Sequence, residues 1–267
     1  RLDLSLYLFM IGVMFLDQYP VPGFTTLTEQ LGYFSNMKEI DYLPYFHSGM
    51  ASPAEIHLIA LVLSTAMHLV LRIHAVAKPI PVLLPFIGFL GTMVFGLIYG
   101  LQGGGDFMIS LWEVRAIFYF AIAYLIIPQI ISNRQQIKVL VWIFILGTIF
   151  KALQGIKRFV ELGYTTGGYE VLTNHEDAVF IVTIILLLLG FMVFGVRNGQ
   201  RRVIIWSLPF MLLGFYVAQR RAAYASLMVS IGMLIFLLPT MKRMLFLKYF
   251  VPVLFMVLAY GVSFWNS

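Results

Sequence analysis

Two adjacent arginines, Arg220 and Arg221, are the residues of this sequence best suited to chemistry. They stand in Gln219-Arg220-Arg221-Ala222-Ala223-Tyr224, between apolar stretches at 203–219 and 222–239, with no Gly, Pro or Asn to make a roomy loop. One helix from Val203 to Met241 would be about 58 Å long, too long for a single bilayer, so the chain must turn at the arginines. A guanidinium is planar, permanently charged and bidentate, and therefore matches a phosphate group. Two readings stand. Arg221 and Arg220 form an anion clamp for a lipid-linked phosphate, as candidate catalytic residues, or they snorkel to headgroups and pair with a nearby carboxylate.

Other charged residues lie near the same side of the apolar runs. Arg115, in Trp112-Glu113-Val114-Arg115, sits about one turn inside the end of a run. It lines the same pocket as a substrate-binding residue, or it pairs with Glu113 or Asp106. Asn174-His175-Glu176-Asp177 opens the next long run but one after it. Asn174 suits a helix cap, and Glu176 and Asp177 suit the positive helix end. In the sharper reading His175 or a neighbouring carboxylate accepts a proton, or contacts a sugar. Lys157 and Arg158 are candidates for drawing in an anionic substrate. Lys151 is close enough to a helix end to snorkel, and Lys157 and Arg158 share that alternative. Glu55 and His57 are weaker candidates at the start of another run. Gly103-Gly104-Gly105-Asp106 is not a phosphate loop, because no Lys-Ser/Thr follows it, and it reads as a flexible link.

The elements that position these groups follow from composition. Of the 267 residues, 61% are hydrophobic and 11% charged, against about one quarter charged in soluble domains. Apolar stretches near the length of a membrane-crossing helix recur at 4–19, 54–73, 80–100, 110–131, 137–156, 177–196, 203–219, 222–239 and 247–265. Alternation of period two is absent, so helices are the way to satisfy the backbone in lipid. The expectation is an all-α, polytopic integral membrane protein with about nine transmembrane helices, as a single domain over 1–267. With no cysteine, disulfides and thiolate metal sites are excluded. The net charge of +6 is spread over short links and is a topology signal, not a nucleic-acid footprint.

Assigned to alternate sides, the first residue and the links after the even-numbered spans carry 11 positive and 1 negative residue, and the opposite side 7 positive and 11 negative. The positive-inside rule then places Arg1, Lys78, Arg201 and Lys242 in the cytoplasm and Lys38 and Ser267 outside. Trp112, Trp142, Trp206 and Trp265 fall near span ends, as interfacial residues do. The outer links, at about 20–53, 101–109 and 157–176, are the longer ones, and function tends to collect in such loops.

In these residues the chain resembles the O-antigen ligase and O-antigen polymerase superfamily of bacterial envelope enzymes. Arg221-Ala222-Ala223-Tyr224, leading into Ser226-Leu227-Met228-Val229, is similar to an outer Arg-small-small-aromatic motif. Leu111-Trp112-Glu113-Val114-Arg115, Lys151-Ala152-Leu153-Gln154-Gly155 and Asn174 with Ala178 resemble further segments of the family, in the same order, over about 80–265. The resemblance implies a metal-independent membrane glycosyltransferase without a cofactor. Such an enzyme moves a glycan from an undecaprenyl-pyrophosphate carrier to an acceptor glycan outside the bacterial cytoplasmic membrane. It implies that Arg221 faces the donor pyrophosphate; Arg220 stands where the family usually has a small residue. It also implies a large outer loop after the last span, with a functional histidine in some members, so a longer polypeptide is expected beyond Ser267.

The expected partners are thus membrane lipid, a polyprenyl-pyrophosphate-linked glycan donor and a glycan acceptor, with no nucleic acid. The rival readings are a transporter or flippase that binds a lipid phosphate without chemistry, and a non-catalytic membrane scaffold subunit. A pair of broken helices in matching halves would favour transport, and the sequence shows none.

Overall fold

The computed structural model describes residues 1–16, 31–35, 37, 51–71, 78–163, 175–218, 220–240, 243, 244, 246 and 247. Among these residues the chain is all-helical. Its helices are α1 (Leu2–Phe15), α2 (Pro53–Val70), α3 (Leu83–Gln102), α4 (Phe107–Ile130), α5 (Arg134–Glu161), α6 (His175–Val193), α7 (Gly199–Ala218) and α8 (Arg221–Leu237). Each coincides with one of the first eight expected spans. The ninth, 247–265, lies outside the described residues but for its first position. Four helices, α2, α3, α5 and α7, are long and apolar enough to cross a membrane. α1, α8, the Ile117–Ile130 part of α4 and the Asp177–Val193 part of α6 are apolar but shorter.

Apolar side chains fill the core and also cover much of the surface: α3 has no buried residue, and its Leu84 and Phe95 are 81% and 70% exposed. Thr148, Lys151, Arg158, Asp177, Gln200 and Ser207 are buried among the apolar core residues. Large apolar side chains outside and polar ones inside are what a helical bundle in lipid requires, because its surroundings are as apolar as leucine.

Local signals set the helix ends. Ser52 and Glu55 form a reciprocal capping box at the start of α2, with Pro53 in the first turn. Gly103, Gly104 and Gly105 close α3: their N–H groups donate to Tyr99, Leu101 and Gly100 carbonyls at 3.0, 3.1 and 3.0 Å. Gly104 has φ +89°, a conformation that suits glycine. Asp106 then accepts from the Ile109 N–H at 3.0 Å and caps α4. This connection, expected to be a loose link, is a hydrogen-bonded turn between two helices. Asn133 and Gln136 open α5, and Asn198 opens α7 through the Arg201 N–H at 2.8 Å.

The chain forms two compact units, with the boundary at 144/145 inside α5. Unit 1 packs α1, α2 and α4 around Leu6, Phe9, Leu58, Leu61 and Ile130. In unit 2, α6 packs on α7 and on α8. The second half of α5 meets α7 where Gly214 touches Ala152. A Cβ on Gly214 would lie 2.9 Å from the Ala152 Cα and Cβ, so the two backbones are in direct contact, as small residues permit.

Candidate functional site

The turn at the paired arginines is present. α7 ends at Ala218, Arg220 is the extended N-cap of α8 (φ −93°, ψ 103°), and Arg221 is its first residue. Tyr224 fastens the turn: its ring lies 4.5 Å from that of Phe215, and its hydroxyl donates to the Phe215 carbonyl at 3.4 Å. Ala223 is buried at this crossing, where a larger side chain would hold α8 away from its neighbours. The Arg-small-small-aromatic sequence thus has a structural logic: the small residues let two helices close up, and the aromatic ring pins them. Arg220 is half-buried and Arg221 exposed. Both stand at the positive end of the α8 dipole, and its first turn holds no acidic residue. Cations are favoured at the other helix end, so two arginines at this one stand against the helix dipole.

A second group of charges lies on α5. Its buried residues, Thr148, Lys151, Ala152, Gly155 and Arg158 among them, recur at helical spacing and form one stripe. Lys151 and Arg158 are each only 3% exposed. The Lys151 Nζ lies 4.0 Å from Asp177 Oδ1, and the Asp177 side chain is itself only 6% exposed. Lys151 is therefore not a snorkelling residue: the stripe that carries it faces the helices of unit 2, and its small neighbours bring those helices close. Asp177 likewise does more than complement the start of α6, since it is the buried counter-charge of Lys151. Lys157 points elsewhere. Its side chain is 76% exposed and pairs with Glu161 at 3.5 Å, one turn along the same helix.

Two contacts relate the levels of these helices. Lys151 meets Asp177 in the first turn of α6, and Ala152, next to Lys151, meets Gly214 of α7. Arg158 lies six residues beyond Ala152 on α5, about 9 Å at helical rise, and α7 ends four residues beyond Gly214, just before Arg220 and Arg221. His175 and Glu176 open α6 by their backbone; their side chains lie outside the described set. Arg115 lies in α4 and so in unit 1, and its side chain also lies outside the described set.

Glu55 and His57 have structural occupations. Glu55 Oε2 accepts from the Ser52 N–H at 2.6 Å, and the carboxylate also accepts from the Tyr119 hydroxyl. His57 lies between the Ser5 hydroxyl, at 3.1 Å from Nε2, and the Tyr33 hydroxyl, at 3.3 Å from Nδ1, with the Phe9 ring edge-on at 5.5 Å. Burial pushes the Tyr33 hydroxyl up to about 12, so it stays protonated beside the imidazole. Among the described residues, no three His, Asp or Glu side chains gather as metal ligands would.

Sequence reasoning found the arginine turn and missed the burial of Lys151 and Arg158. The signal for it was the spacing of Thr148, Lys151, Gly155 and Arg158 on one helix face. Comparison with family models, with curated proteins and with solved structures gives no match.

Proposed function

We propose that this chain is a membrane glycosyltransferase of the O-antigen ligase or polymerase type. It would cross the bacterial cytoplasmic membrane about nine times and transfer a glycan from a polyprenyl-pyrophosphate carrier to an acceptor glycan on the outer face. The observation that carries the reading is the turn that sets Arg220 and Arg221 side by side at the start of α8, with the buried Arg158 on α5 in the same unit. Transfer forms a bond between an acceptor hydroxyl oxygen and the anomeric carbon of the donor. It breaks the bond from that carbon to the pyrophosphate, whose oxygens gain negative charge as it leaves. Fixed guanidinium groups in a site with little water stabilise that charge most. Arg221 and Arg220 fill this role, with Arg158 adding positive potential from α5. The acceptor proton goes to His175 or Glu176, which share the first turn of α6. Asp177 is engaged with Lys151 and serves to hold α5 and α6 in place. Arg115 and Lys157 are assigned to substrate attraction.

The test is glycan transfer from a purified lipid-linked donor, normalised to folded protein. Arg221→Ala is expected to lower turnover about 100- to 1,000-fold, as for the loss of one transition-state donor. Arg221→Lys is expected to recover only part of it, because a point charge cannot make the planar two-bond contact. Near-normal turnover in both Arg221→Ala and Arg220→Ala would overturn the assignment.

A transporter of a lipid-linked phosphate is the second reading, and the buried Lys151–Asp177 pair is the observation that favours it, since ionisable groups inside membrane bundles often line pathways. Movement of the intact donor across a vesicle membrane, without glycan transfer, would select it.

A further inference from the structure

A second polar site lies in unit 1. A cavity of about 580 Å³ opens where the start of α1, the end of α2, Lys78 and the junction of α4 with α5 come together. Arg1, Asp3, His68, Leu69, Lys78 and Gln129 are among its lining. Its volume is far larger than a water site and is in the range of small-molecule pockets, about 300–1,000 Å³.

Among the described residues the charges of this lining do not cancel. Asp3 is the one carboxylate among them, and that group lies 3.2 Å from the Arg1 guanidinium. The Lys78 ammonium donates to the Gln129 and Ile131 carbonyls and lies 3.4 Å from the Ser132 hydroxyl. These partners are neutral. They hold the ammonium in place, and reciprocal bonds between Gln129 and the Lys78 backbone at 2.8 and 2.9 Å hold its segment. Among the described lining residues one positive charge therefore remains over a preformed cavity, before any proton on His68 is counted.

The surface beside the cavity has the opposite character. The outer face of α2 next to Leu69 shows Met67, Val70 and Leu71 at 64%, 79% and 56% exposure. A ligand that fits both carries an anionic head and an apolar tail. Basic pockets between membrane helices take such headgroups. We propose that this cavity binds the phosphodiester headgroup of an anionic phospholipid, whose acyl chains lie along the exposed apolar face of α2. The inference rests on the membrane-spanning part of the proposed function and not on its chemistry.

The experiment is native mass spectrometry of the whole chain in a neutral detergent, with phosphatidylglycerol or phosphatidylcholine added and no glycan donor present. Phosphatidylglycerol is expected to be retained in preference to phosphatidylcholine. Lys78→Gln removes the unmatched charge and is expected to weaken that retention about fivefold, the worth of one cation near an anionic headgroup. Leu69→Trp fills the cavity without touching a charge and is expected to abolish the preference. Arg202→Gln, which removes an exposed cation of α7, is expected to leave it unchanged. Equal retention of the two lipids, wild-type retention in both Lys78→Gln and Leu69→Trp, or displacement of the lipid by millimolar inorganic phosphate would each overturn the proposal. Because no donor is present, a failure here leaves the transferase reading standing. Loss of transfer in Arg221→Ala, in turn, leaves this binding measurement unchanged.

Discussion

The Lys151–Asp177 pair separates structure from function at the scale of single residues. Two opposite charges, each nearly sealed from solvent, gain from one another only while both are present. Lys151→Met is expected to lower stability, by up to about 3–5 kcal/mol, because it removes a counter-charge from the Asp177 carboxylate inside the bundle. Asp177→Leu should do the same to the ammonium. The double variant Lys151→Met/Asp177→Leu should recover most of the loss, since an apolar pair of similar volume suits the site at least as well. Thermal unfolding in detergent measures this cycle. If the double variant is no more stable than the singles, the pair is not what couples α5 to α6. Transfer activity in the double variant then reports whether the charges only position helices or also act on substrate. Arg220 and Arg221 were legible from sequence because two charges between apolar runs force a turn. The burial of Lys151 was not. Its distance from the helix end allows snorkelling, and only the choice of face decides, which depends on the helices packed against it.

Helices were the most legible elements, since run length and the bilayer thickness together dictate them. Their packing was less so, because it depends on single small residues. Gly214 is the clearest case: nothing in Leu212-Leu213-Gly214-Phe215 announces that the glycine faces Ala152 and not lipid. In the structure any side chain there meets the α5 backbone. Gly214→Leu is therefore expected to push α7 from α5 and to lower stability by about 1–3 kcal/mol, the usual cost of overpacking. Gly190 and Gly232, on α6 and α8, have nothing within 4 Å of a built Cβ. Gly190→Leu and Gly232→Leu should be tolerated, and their measured unfolding temperatures provide the control. Equal losses at all three positions would mean that helix propensity or insertion, and not the α5–α7 contact, governs the effect. Because Ala152 precedes Leu153-Gln154-Gly155 and lies next to Lys151, the same contact sets the height of the buried charges. If the chain carries the proposed glycan transfer, Gly214→Leu is thus expected to reduce it even in protein that remains folded.

Sidedness belongs to the molecule as a whole. The split of 11 positive and 1 negative residue against 7 and 11 assigns every link to one face of a membrane. Unit 1 supplies a geometric check within itself: Arg1, Lys78 and Gln136 line one cavity, and the charge split assigns Arg1 and Lys78 to one face together with the link between the fourth and fifth expected spans, where Gln136 lies. Alternating helix directions require this, whereas a misplaced or missing span between Arg1 and Gln136 would send one of them to the far end. In the proposed orientation the charge split assigns Arg158, Arg220 and Arg221 to the outer side, against the rule that keeps cations in the cytoplasm, as a site for an external anion would require. The test uses the absence of native cysteine: single cysteines placed at Lys78, Arg201 and Lys242 should resist an impermeant thiol reagent added to intact cells. Cysteines at Lys38 and Ser267 should react. Labelling of position 242 from outside would reverse the orientation and with it the assignment of the arginine turn to the outer face. Labelling at 78 but not at 201 would instead mean that the number of crossings between them is odd, so that one of α3 to α6 does not span.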